Sequence, residues 1–140
     1  MWQLKLAGCV FVTFWLTALG FKRANSLNER CKTIEKIEVF IYQTANKIRC
    51  ADGEIFEILN QTMPKEINQK LLKPEEQKAL NEFINGAGMG DFIAEEKRCQ
   101  MYLEKITEFK ENAIKEKNEK SKLYCAVYFS AGLMISLLLI

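Results

Sequence analysis

Two uncharged apolar runs exclude most of the folds otherwise open to this chain. Leu6 to Phe21, LAGCVFVTFWLTALGF, holds 16 residues, and Leu123 to Ile140, LYCAVYFSAGLMISLLLI, holds 18. A bilayer core of about 30 Å needs about 20 helical residues, and about 17 suffice. The second run meets that length unaided. The first meets it when Trp2, Leu4 and a snorkelling Lys5 extend it toward the headgroups. Burying both as core helices would leave only about 100 of the 140 residues to cover them.

Removal of the first run as a signal peptide is the competing reading, because Ala18 and Gly20 are small residues at cleavage spacing. The flanking cations oppose it. Only Lys5 and the amino terminus precede the run, whereas Lys22, Arg23, Arg30, Lys32 and Lys36 follow it; Lys115, Lys117, Lys120 and Lys122 precede the second run. The positive-inside rule then puts the middle in the cytoplasm and both ends across the membrane. The expected organisation is a transmembrane helix over residues 1–21, a soluble helical domain over 22–122 and a second transmembrane helix over 123–140.

Elementary chemistry narrows the function. There is no histidine, and the five cysteines (Cys9, Cys31, Cys50, Cys99, Cys125) form no C-x-x-C pair, so metal-site spacing is absent. A reducing compartment fits, with Cys31, Cys50 and Cys99 packing as small hydrophobes. No Walker sequence occurs, and neither Ser26 nor Ser121 has a base beside it. No enzyme, cofactor or metal is therefore expected. Net charge is +2 and no basic stripe carries interleaved aromatics, so nucleic acid is not among the expected partners.

The middle is patterned as helix. Leu27, Cys31, Ile34, Ile41, Ala45 and Ile48 recur at three, four and seven, one face of a helix, with Ser26 and Glu29 as a capping box at its start. Asp52 caps a short helix carrying Ile55, Phe56 and Leu59, which Met63-Pro64 ends. A weaker segment with Ile67, Leu71 and Leu72 leads to KPEEQ, where Pro74 suits a first helical position and Glu75 and Glu76 the first turn. That helix carries Leu80, Phe83 and Ile84. A long last helix places Phe92, Cys99, Leu103, Ile106 and Ala113 on one stripe, with Phe109 beside it and a charged outer face. Beyond Ile114 the stripe disappears, so KEKNEKSK is either exposed helix or a hinge. The whole is all-α: a small helical bundle or coiled-coil hairpin, the first helix antiparallel to the last.

Between the last two helices lies NGAGMGD, with Gly86, Gly88 and Gly90 in five positions. A phosphate loop needs a strand before its glycines, and KPEEQKALNEFI has the character of a helix. The glycines are expected to form a helix–helix turn, with Asp91 capping the helix that follows. Glu95 and Glu96, just beyond, are candidates for partner contact, weighed against plain solvation.

The order of these segments resembles the stage III sporulation protein AB family, related to the F-type inner-membrane platform of type II secretion and type IV pilus systems. The resemblance is carried by LKLAGCVFVTFWLTALGF, KRANSLNER, IEKIEVFIYQTANKIRCADGEIFEIL, LNEFINGAGMGDFIAEEKRCQMYLEKI and the closing LYCAVYFSAGLMISLLLI. Phe83, Gly88 and Asp91 match the family's aromatic, small-residue turn and acid. The stretch from Asp52 to Leu80 is shorter than is usual in the family. The resemblance implies a non-catalytic platform or scaffold subunit of a secretion-like channel in the mother-cell membrane around the forespore. It also implies a cytoplasmic motor ATPase and other stage III sporulation proteins as partners. Two other readings stay open: a two-span structural or pore-forming envelope protein unrelated to secretion, acting as a homo-oligomer, and a secreted or membrane-bound enzyme.

Overall fold

Nothing in KRANS, between the first apolar run and the first amphipathic stretch, interrupts a helix: it contains neither glycine nor proline. In the computed structural model, which describes residues 1–50 and 53–140, a single helix α1 accordingly runs Trp2–Arg49. The capping box expected at Ser26 and Glu29 does not form, because a cap serves only a helix that begins there and this one is already under way. Helices α2 (Ile55–Thr62), α3 (Pro74–Asn85) and α4 (Phe92–Leu139) follow, with a 3₁₀ turn at Gln69–Leu71. No strand occurs among the described residues. The cap expected from Asp52 lies outside them.

The chain forms two compact units, residues 1–29 with 114–140, and residues 30–113. In the first, α1 and α4 are antiparallel: Cys9 meets Ser136, Thr13 meets Gly132 and Gly20 meets Tyr128. The approach is close because the glycines allow it. A Cβ on Gly20 would lie 2.9 Å from Tyr128 Cβ, and one on Gly132 would lie 3.1 Å from Thr13 Cα. Thr13 Oγ1 and Ser136 Oγ are 3.0 Å apart, an interhelical hydrogen bond. Both helices are long and apolar enough to cross a membrane, and only 11% of each apolar window is buried within the protein. Phe11, Phe14, Trp15, Leu133, Leu137 and Leu138 are exposed.

In the second unit α1 and α4 again run antiparallel, with Glu38 paired to Lys110 and Arg49 to Glu96. Cys31, Ile34, Ile41, Ala45 and Ile48 are buried as their spacing predicts, and Ile37 and Phe40 join them. They pack with Cys99, Ile106 and Ala113 of α4 in one core. A fully buried residue such as Ile34 or Phe40 contributes about 1.5–3 kcal/mol through loss of hydrated apolar surface. Leu27 is half-buried and lies in the other unit; Leu103 and Phe109 are partly buried against the core.

The short helices close this core. Met63 ends α2 in an extended conformation (φ −63°, ψ 124°), as a residue before proline must. Pro74 opens α3, and the Glu76 carboxylate accepts the Lys73 backbone N–H at 2.9 Å. Ile58, Leu59, Leu72, Leu80 and Phe83 are buried. Three apolar residues expected to bear on packing prove exposed or at the margin. Phe56 is 63% exposed, because the eight-residue α2 turns Ile58 and Leu59 inward instead. Phe92 is exposed at the first position of α4, and Cys50 is exposed where α1 ends, so it is not the core thiol expected. KEKNEKSK continues α4 without a break as largely exposed helix, supported by a Glu116–Lys120 pair in the favourable i, i+4 order.

Candidate functional site

The glycine stretch joins α3 to α4, and its glycines and its aspartate shape the corner. Gly86 caps α3, its N–H donating to Glu82 O at 3.0 Å. Gly88 has φ +81°, where a side chain is strained, and a Cβ there would lie 2.9 Å from the Phe56 ring. Gly90 lies against Ala94. Asp91 Oδ1 accepts the Ala94 backbone N–H at 2.8 Å, satisfying one of the orphan amides that open α4. The element preceding the glycines is a helix.

Beneath this corner sits a residue that the sequence did not single out. Arg98 donates from Nη1 to the Phe83 carbonyl oxygen at 2.8 Å, and from Nε and Nη2 to Glu95 Oε2 at 3.1 and 3.0 Å. Its guanidinium also stacks on the Phe83 ring, 4.9 Å from the centroid, and lies 5.7 Å from that of Tyr102. Phe83 in turn meets Phe40 and Tyr102 edge-to-face, at 5.7 and 5.5 Å. One arginine thus ties the end of α3 to the start of α4.

The structure separates Glu95 from Glu96. Glu95 is 2% exposed with its carboxylate held by Arg98, so the solvated reading is corrected for it. Glu96 points elsewhere and accepts from Arg49 Nε at 2.8 Å, in a largely exposed pair. The spacing signal for Glu95 was present: it stands four residues before Cys99, on the buried stripe. The same holds for Arg30, four before Ile34. It is buried and ion-paired with buried Glu76, whose Oε2 it reaches from Nε at 3.3 Å.

Cys99 is fully buried, and desolvation pushes its thiol up to about 11, against the pull of Arg98, so at neutral pH it is an uncharged packing group. Among the described residues, no group of three or more His, Cys, Asp or Glu side chains is arranged to hold a metal. Around the corner several large apolar side chains face outward: Phe56, Met63, Phe92, Ile93 and, at 88% exposure, Met89.

No curated protein and no solved structure matches the chain. A family model described as Stage III sporulation protein AB matches residues 40–140. That span takes in the end of α1, the short helices, the glycine corner and the whole of α4, while the resemblance noted for residues 4–39 lies outside it. Covering well over half of the sequence, the match makes this chain a member of the stage III sporulation protein AB family.

Proposed function

We propose that the protein is a two-span, non-catalytic platform subunit of a sporulation-associated, secretion-like channel in the mother-cell membrane. Its soluble unit stands in the cytoplasm, where a motor ATPase and other stage III proteins meet it. The observation that carries this reading is the family match over residues 40–140 on a chain with two helices of membrane-spanning length. The motor-facing surface is the glycine corner, where Met89, Phe92 and Ile93 are exposed beside the Arg49–Glu96 pair. Exposed apolar clusters with a polar rim suit protein contact. This leaves Glu96, and not the buried Glu95, to touch a partner directly.

Two measurements test the reading. A cysteine replacing Lys70, in a chain stripped of native cysteines, should resist an impermeant thiol reagent in intact cells and react after lysis. Reaction before lysis places the soluble unit outside and defeats it. The tagged chain from sporulating cells should also co-purify the motor ATPase, and Met89→Asp with Ile93→Asp should abolish that. Undiminished recovery with the double variant would move the contact away from the corner.

A further inference from the structure

One face of α1 changes from apolar to cationic within three turns. Trp15, Leu19, Lys22, Arg23 and Ser26 recur at spacings of three and four. Leu19, Lys22, Arg23 and Ser26 line a groove of about 380 Å³ whose other wall is Tyr128 of α4. Tyr128 reaches it because Gly20 has no side chain to hold the helices apart. Six residues onward along α1 from Gly20 is Ser26, and six back along α4 from Tyr128 is Lys122, about 9 Å in each case. A third cation therefore stands at the same level.

Neither Lys22 nor Arg23 has an ion pair or hydrogen bond among the described residues. Two cations without a contacting counter-charge thus line a groove together with exposed Leu19, and Trp15, one turn back along α1, is exposed as well. An amphiphile with an anionic head and an apolar tail complements both parts. Arginine offers a fork of donors matched to phosphate oxygens, and lysine and serine add further donors. Basic pockets between membrane helices on the cytoplasmic side take anionic headgroups for the same reason.

We propose that this groove binds an anionic phospholipid. Lys22, Arg23 and Ser26 hold its phosphodiester, and an acyl chain lies along Leu19 and Trp15. The proposal rests on the two-span reading above.

The chain has two tryptophans, so Trp2→Phe leaves Trp15 as the sole indole reporter. The full-length variant is placed in phosphatidylcholine nanodiscs containing a small fraction of acyl-brominated lipid, either phosphatidylglycerol or phosphatidylcholine. Trp15 should be quenched by both, with the brominated phosphatidylglycerol favoured by at least about fivefold, as expected for one cation contact or more. Lys22→Gln with Arg23→Gln should abolish the preference. Lys115→Gln with Lys117→Gln, which removes equal charge farther from the apolar run, should preserve it. Equal quenching by the two lipids, or equal loss in both double variants, overturns the site in favour of diffuse surface charge. Displacement by inorganic phosphate overturns it in favour of a soluble anion. Absence of quenching by either lipid defeats the two-span reading, and the lipid site falls with it.

Discussion

Arg98 grips Phe83 twice, donating to its carbonyl oxygen at 2.8 Å while stacking on its ring at 4.9 Å. The same guanidinium neutralises Glu95, whose side chain is 3% exposed. Removing the arginine strands a carboxylate in the core, so Arg98→Ala should cost about 3–5 kcal/mol. Pairing it with Glu95→Leu should recover much of that loss. Denaturant titration of a fragment spanning residues 24–120 measures both; equal instability of single and double variants would show that packing, not charge, dominates.

Gly88 meets two constraints at once, a positive φ and the Phe56 ring. Gly88→Ala should cost about 1–2 kcal/mol from the backbone conformation alone, and Gly88→Val more. Phe56→Ala in the same chain should return the steric part and leave the backbone part. Asp91→Ala at the neighbouring cap should cost about 0.5–2 kcal/mol. Thermal melts of the four variants check the ordering.

The buried Arg30–Glu76 pair joins α1 to the start of α3. Arg30→Ala leaves Glu76 charged and enclosed, and should destabilise the unit of residues 30–113 by about 3–5 kcal/mol. Glu76→Gln keeps an acceptor for the Lys73 N–H, so placing it in the Arg30→Ala background should relieve the penalty. The relief would be seen as a rise in melting temperature over the single variant.

Cys99 gives the fold a dependence on alkaline pH. Burial raises the thiol from its ordinary 9.0 to about 11. Below pH 9 the thiol is neutral in both states and its contribution is complete. As pH rises from about 9 to about 11 the unfolded chain loses a proton that the folded one retains, so stability falls. At about pH 10.5 the loss should reach about 2 kcal/mol. Cys99→Ala should lack this component, so comparing the pH slopes of the two proteins isolates it.

Much of the architecture was legible because it rests on period and punctuation. The apolar runs, the stripe through Ile34, Ile41 and Ile48, the start at Pro74 and the stop at Met63-Pro64 each have one dominant local cause. The buried charges were harder to read, since all three sit in charged surroundings: Arg30 and Glu76 become core residues by pairing across helices, and Glu95 by pairing with Arg98 of its own helix. Their positions four residues before Ile34 and Cys99 were a usable clue for Arg30 and Glu95. Phe56 shows the converse. Its apolar character suggested burial, but in a helix of eight residues the inward face was already taken by Ile58 and Leu59.

The hydroxyls of the apolar hairpin bear on the order in which it is made. Thr13 and Thr17 fold back onto carbonyls of their own helix, Cys9 O at 2.9 Å and Thr13 O at 2.8 Å. Ser136 instead takes its partners from α1: Thr13 across a 3.0 Å contact and Cys9 O at 3.2 Å. At about 5–20 residues per second, translation leaves the first helix alone for on the order of ten seconds before the second emerges. Through that wait its threonines leave no hydroxyl unmet. Ser136, whose partners lie across the hairpin, belongs to the helix that is made last, when its acceptor is already in place.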